Sequence, residues 1–198
     1  MLSLAAIHNA LITDPSLVFI QTTDGQLIPL LGCYRSQQIH VYSGSFNPLH
    51  DGHKAIFSQA KLNRFRNVAF FELSINRFDK APVTVDELAL RLRQFVGYAP
   101  VLITNVAKFV EKAGVLRGTH KPVFHVGGDT MTRLLDHSSI QEIAGFNCDF
   151  VYYNRIVGDK KIEFPAKMPV NCFKGTELSE DMMKISSTSL RNAGKVLG

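Results

Sequence analysis

His50 and His53 stand three residues apart in HVYSGSFNPLHDGH, residues 40–53 of a 198-residue chain. The apolar start reads as a buried strand that runs into a loop and then a helix near Asp51. Gly44 and Gly52 permit close backbone approach or positive φ, and Pro48 stiffens the loop between them. A helix start presents free backbone N–H groups and the positive end of a dipole to an anion. Imidazole donors beside those amides suit a phosphoryl group. The loop is neither a GxxxxGK[ST] nor a GxGxxG loop. His50, Asp51 and His53 also carry metal-ligand atoms, but a catalytic zinc site needs three protein ligands in suitable geometry. No HExxH or second histidine cluster occurs, so metal hydrolysis ranks third among the readings and no metal ligand is assigned. At the other end, SSTSLRNAGKVL (186–197) predicts a helix capped by Ser186 or Ser187. Arg191 is expected near the start of that helix, where the dipole disfavours a cation unless an anion compensates.

These groups need a frame, and the chain supplies an alternation of strand and helix patterns. Residues 2–13 predict a short helix, and LVFIQTTDGQLIPLLG places two apolar runs around Asp24-Gly25, a hairpin signal. YRSQQ (34–38) reads as a linker, so residues 1–38 form an N-terminal helix-hairpin extension and 39–198 the main domain. Strands are expected at 39–42, 67–75, 100–104, 121–128 and 148–154. Helices are expected at 51–66, from the Thr84/Glu87 capping box to Val96, from an Asn105 cap to about 112, from Asp129, and from the Ser139/Glu142 box. Residues 155–175 read as loop with one short strand at most. The pattern implies an α/β fold, a Rossmann-like parallel sheet with helices on both faces. Ligands in such sheets lie beyond the C-terminal strand ends near the switch point. The windows of interest are therefore 43–53, 74–80, 104–105, 127–130 and 154–155.

Composition narrows the function classes. A hydrophobic fraction of 45% and a charged fraction of 20% describe a soluble globular chain. The net charge of +5 is modest and suits an anionic substrate as well as a nucleic acid. The chain has no run of five or six like charges and no arginine-rich tract, and no nucleic-acid partner is expected. Residues 52–71 are basic through Lys54, Lys61, Arg64 and Arg66, which reads as a solvated helix face. Cys33, Cys148 and Cys172 form no CxxC pair, which fits a reducing compartment and a cytoplasmic protein. The N-terminus lacks a positive n-region, and no apolar run reaches transmembrane length, so no membrane partner is expected.

GSFNPLHDGH resembles the GxFxPxHxGH signature of the nucleotidylyltransferase superfamily, and ISSTSLR (185–191) resembles its second, ISSTxxR-type signature. The two stand in the right order at opposite ends of one Rossmann-like unit, and the likeness covers about residues 39–192. GGDTMTRLL (127–135) is similar to the Gly-x-Asp segment of nicotinamide-nucleotide adenylyltransferases, which places Gly127 and Asp129 near the nucleotide. NRFDKAPVTVDELALRLRQF (76–95) is similar to their loop with a phosphate-contacting lysine and the helix after it, which carries over Lys80 and Arg91 as acceptor-binding. FELS and NRFDK together resemble adenylyltransferase-like domains fused to a nicotinamide-nucleotide amidase domain.

The resemblance implies transfer of AMP from ATP to a mononucleotide phosphate, NMN foremost, giving NAD and pyrophosphate. His50, His53 and Arg191 take the catalytic roles in that reading. Gly44, Ser45, Phe46, Asn47, Ser187 and Thr188 line ATP with Gly127 and Asp129, and Mg²⁺ enters mainly on the ATP phosphates. Many relatives stack an aromatic, often Trp, on the nicotinamide ring; this chain has no Trp and offers Phe78, Phe109 or Tyr153. Within the class, the acceptor is alternatively phosphopantetheine, FMN or nicotinic acid mononucleotide, and the donor CTP. Outside it, the domain binds nucleotide without turnover.

Overall fold

Local signals place most elements where tertiary contacts keep them. The computed structural model describes residues 2–30, 38–61, 67–76, 81–117, 121–157, 160–192 and 194, and at 67, 157 and 187–189 the backbone alone. Ser3 caps α1 (Leu4–Thr13) by accepting from the Ala6 N–H. The hairpin β1 (Phe19–Gln21) and β2 (Leu27–Pro29) follows, with Gly25 at φ 88° in its turn. β3 (Gln38–Ser43), α2 (Asp51–Lys61) and β4 (Asn67–Ser74) come next. The Thr84/Glu87 box opens α3 (Val85–Arg93) as the sequence requires, and β5 (Val101–Thr104) succeeds it. Then come α4 (Phe109–Val115), β6 (Val123–Gly127) and α5 (Gly128–His137). The Ser139/Glu142 box opens α6 (Ile140–Ala144), before β7 (Asp149–Tyr153). The short strands β8 (Ile156–Val157), β9 (Lys160–Lys161) and β10 (Cys172–Lys174) lead to α7 (Glu180–Lys184) and α8 (Ser187–Asn192).

Eight strands form one sheet in the order β10-β7-β6-β3-β4-β5-β1-β2. β10 through β5 run parallel, while β1 joins β5 antiparallel, Phe19 opposite Ile103. The opening hairpin therefore extends the main sheet and covers the β5 edge. One face packs Ile7, Leu11, Ile56, Phe57, Leu88 and Leu92 from α1–α3 against Tyr42, Phe71 and Ile103. The other packs Ala113, Leu116, Met131 and Ile143 from α4–α6 against Val41, Phe124 and Phe150. This is the expected α/β arrangement, with chain order reversing between β6 and β3. No described helix is long and apolar enough to cross a membrane.

Four expectations need correction. Asn105 does not cap a helix: its side chain donates to the Leu11 carbonyl, and α4 starts four residues later behind Lys108. α5 begins at Gly128 with Gly127 as N-cap, so Asp129 is a first-turn residue rather than the cap. The stretch 155–175 holds three short strands, and β10 gains its place only by pairing with β7. α8 has six residues and ends before Gly194, so Arg191 stands in its last turn. The dipole favours a cation there, and the argument that Arg191 requires an anion falls.

Candidate functional site

The loop after β3 is held by its own buried aromatic. Phe46 is 1% exposed although it stands on the loop, and it adopts φ 44°, a left-handed conformation uncommon for a bulky residue. Its ring meets Tyr42, His53, Phe71 and Phe95 edge-on. A Cβ at Gly44 would lie 2.7 Å from that ring, which explains why the position has none. A cis peptide joins Asn47 to Pro48, and α2 starts at Asp51.

His50 and His53 then stack, with ring centroids 3.5 Å apart and planes at 21°. Each Nδ1 faces the other residue's backbone N–H at 3.3 Å. A ring nitrogen that accepts carries no proton, so the neutral tautomer of each holds its proton on Nε2. Both rings stay neutral. Burial, then the positive charge of Arg155, lowers His50 to about 4. Burial, the His50 charge and Arg155 push His53 lower still. The His50 Nε2 is enclosed and has no hydrogen-bond partner among the described residues. Two neutral N–H donors thus stand at the mouth of the central strand. Gly52 makes the packing feasible, since a Cβ there would lie 2.9 Å from the Met182 carbonyl of α7 and 3.1 Å from His50 Nδ1.

Arg191 reaches this loop from the far end of the chain, donating through Nη1 to the Asn47 carbonyl. The two sequence motifs therefore meet. Gly127 ends β6, the neighbour of β3, and Asp129 stands in the first turn of α5 just beyond it. A Cβ at Gly127 would come within 3.0 Å of the Asp129 carboxylate. The Asp129 charge also acts on His50. Ser45 is exposed and Asn47 half-buried. Ser187 and Thr188 open α8, and their side chains lie outside the described residues, as do Lys80 and Phe78. Arg91 is no solvated surface charge: it is 3% exposed on α3 and pairs with Glu87 at 3.5 Å. Tyr153 and Phe109 are poor stacking platforms. Tyr153 is 2% exposed with its hydroxyl 2.8 Å from His125 Nδ1, and Phe109 packs edge-on to Phe124 and Phe150.

Arg155 was not singled out by any motif. It follows β7 inside one of the strand-exit windows, and its side chain is 13% exposed. It lies 3.7 Å from the Asp129 carboxylate and projects positive potential onto both loop histidines. Gly128 admits it, since a Cβ there would meet Arg155 Cβ at 3.2 Å. Only its place directly behind a strand end could have pointed to it. No cluster of three His, Cys, Asp or Glu able to hold a metal ion exists among the described residues, and Asp51 instead pairs with Lys54 at 3.2 Å.

A family model described as cytidylyltransferase-like matches residues 41–193. The fold is similar to that of a Plasmodium falciparum nicotinic acid mononucleotide adenylyltransferase complexed with APC. The two share 15% identity over 79% of this chain and 83% of the other, with a TM-score of 0.53. A search of curated proteins returned no match.

Proposed function

Since the chain belongs to the cytidylyltransferase-like family, within the nucleotidylyltransferase superfamily, we propose that it transfers AMP from ATP to a mononucleotide phosphate. NMN is the acceptor we favour. An oxygen of the NMN phosphate attacks the α-phosphorus of ATP in line. The bond from the α-phosphorus to the bridging oxygen breaks, and pyrophosphate leaves with that electron pair. The products are NAD and pyrophosphate, and no covalent enzyme intermediate is needed.

The observation that carries this reading is the loop pair of imidazoles, both neutral and both protonated on Nε2, with the His50 Nε2 unpartnered. A cationic imidazole is not required to stabilise a phosphoryl transition state; a preorganised N–H donor out of water suffices. His50 and His53 donate to the phosphate oxygens on which charge builds. Gly44, Ser45, Phe46 and Asn47 line the triphosphate. Ser187, Thr188 and Arg191 hold its β- and γ-phosphates, and Arg155 adds a half-enclosed positive charge beside the α-phosphate. Gly127 and Asp129 face the nucleoside, and Lys80 the acceptor phosphate. Arg91 could join it only by leaving Glu87. ATP enters as its magnesium complex, the ion remaining largely water-ligated. A binding module would hold nucleotide without turnover, and the intact His50, His53 and Arg191 argue against that alternative.

A second acceptor, nicotinic acid mononucleotide, draws support from the fold neighbour, whose name states that activity. Incubation with ATP or CTP, Mg²⁺ and a panel of NMN, nicotinic acid mononucleotide, phosphopantetheine and FMN decides it. Pyrophosphate release specific to ATP and NMN is expected. Release with none of the acceptors overturns the transferase reading.

A further inference from the structure

The loop that carries Asn47 and His50 is clamped by a residue at the end of α3. Gln94 is the C-cap of α3, and its amide meets the loop at two points. Its Oε1 accepts the Leu49 N–H at 2.6 Å, and its Nε2 donates to the Phe46 carbonyl at 2.9 Å. These two backbone groups flank Asn47 and Pro48, and both lie on the loop between β3 and α2. Between the clamp points stands Asn47, whose carbonyl takes the Arg191 guanidinium, and immediately after them comes His50. The side chain must offer both a donor and an acceptor at one reach. Glutamate lacks the donor, leucine lacks both, and asparagine is one methylene short.

The N-terminal unit holds the backbone on either side of Gln94. The buried Gln21 of β1 donates to the Leu92 carbonyl at 2.9 Å, and the Thr23 carbonyl accepts the Gly97 N–H at 2.7 Å. On the same side, His8 Nε2 bonds the Val83 carbonyl at 2.8 Å, just ahead of α3. Residues 2–30 lie wholly outside the matched span 41–193. They grip both ends of the helix that bears the clamp.

We propose that Gln94 is a positioning residue for the phosphate loop, and that the N-terminal helix-hairpin unit serves the reaction by fixing α3. This rests on the transferase reading above. The physical ground is that donors aimed at developing charge work only when pre-placed, so a shift of about 1 Å can cost about 100-fold in rate.

The test compares wild type with Gln94→Leu, Gln94→Glu and Gln21→Leu. Each protein is taken through thermal melting, calorimetric titration with ATP, and steady-state pyrophosphate release well below its melting temperature. Gln94→Leu should lower kcat by about 10- to 100-fold while the acceptor KM moves less than about threefold. Gln94→Glu keeps the acceptor for Leu49 and should fall between the two, and Gln21→Leu should show the same split more weakly. A lowered melting temperature with unchanged kcat in Gln94→Leu and Gln94→Glu overturns the proposal and leaves Gln94 a structural cap. If Gln94→Leu fails to fold, Gln94→Glu carries the decision alone. A wild type that binds ATP without turnover defeats the transferase reading, and the clamp is then judged by whether ATP affinity falls in Gln94→Leu. A wild type that neither binds nor turns over ATP overturns both.

Discussion

The molecule holds two histidine pairs, and their nitrogens are engaged in opposite ways. His50 and His53 are three residues apart, and each Nδ1 is taken by the other's backbone N–H. His40 and His125 lie 85 residues apart on neighbouring strands and bond each other, Nδ1 to Nε2, at 2.9 Å. His125 then passes its remaining nitrogen to the Tyr153 hydroxyl at 2.8 Å. Burial lowers the pKa of all four, with the Arg155 charge adding to the effect only at the loop pair. Low pKa by itself therefore does not mark a functional imidazole here. Nor does an enclosed Nε2 without a partner among the described residues, since His40 and His50 both have one. What separates the pairs is place, one on the loop at the C-terminal end of β3 and the other within neighbouring strands.

The largest effect expected from breaking this comparison is on rate. His53→Ala should lower turnover by about 10²- to 10³-fold, the loss of one oxyanion-type donor. The stability cost should be about 2 kcal/mol, since the ring's packing on His50 and Phe46 is lost along with a long backbone contact. Near wild-type pyrophosphate release in that variant would make the loop pair as structural as the sheet pair.

His125→Ala should do the reverse. It opens a cavity in the sheet and strips both His40 and Tyr153 of their partner, for a cost of about 3 kcal/mol in denaturant unfolding. Turnover of the folded fraction should stay close to wild type. The pH dependence follows with a defined sign. Burial, then the His40 charge, depresses His125 to about 3 in the folded protein, against 6.5 for an ordinary imidazole. Between those values the unfolded chain binds a proton that the folded one does not. The contribution is therefore full above pH 6.5 and is lost as pH falls toward 3, by up to about 1.4 kcal/mol per pH unit. Denaturation at pH 7, 6, 5 and 4 should show a shallower acid slope in His125→Ala than in wild type.

The smallest effect sharpens the distinction. Arg155→Gln should raise the pKa of His50 and His53 toward the ordinary range and leave His125 in place, because Arg155 acts on the first two alone. Histidine titration by NMR reads all three. Equal movement of His125 would mean that the guanidinium does not belong to the loop pair.

Much of the frame was legible because its signals are local. The two capping boxes at Thr84/Glu87 and Ser139/Glu142 involve residues three apart, and both formed as the spacing required. The Asp24-Gly25 turn and the apolar strand runs are of the same kind. Asn105 misled because a cap-forming side chain bonds whatever carbonyl tertiary packing offers, here that of Leu11. The length of α8 misled because Gly194, inside the apparent pattern, takes φ 75° and closes the helix behind Arg191.

By itself, the sequence determined the strand-helix order, the His-x-x-His spacing and the presence of a second motif. Those features depend on backbone propensity and on residues a few positions apart. Only the tertiary structure decided which imidazole nitrogen carries the proton, that the charge of Arg155 acts on the loop pair, and that Gln94 clamps the loop. Each of these depends on partners brought together across the chain. Gln94 lies 45 and 48 residues from the groups it bonds, and Arg191 lies 144 from the carbonyl it meets. A hydrogen-bonding side chain carries its donors and acceptors wherever it stands, but burial removes water as their alternative partner. Packing then selects the one partner each can reach.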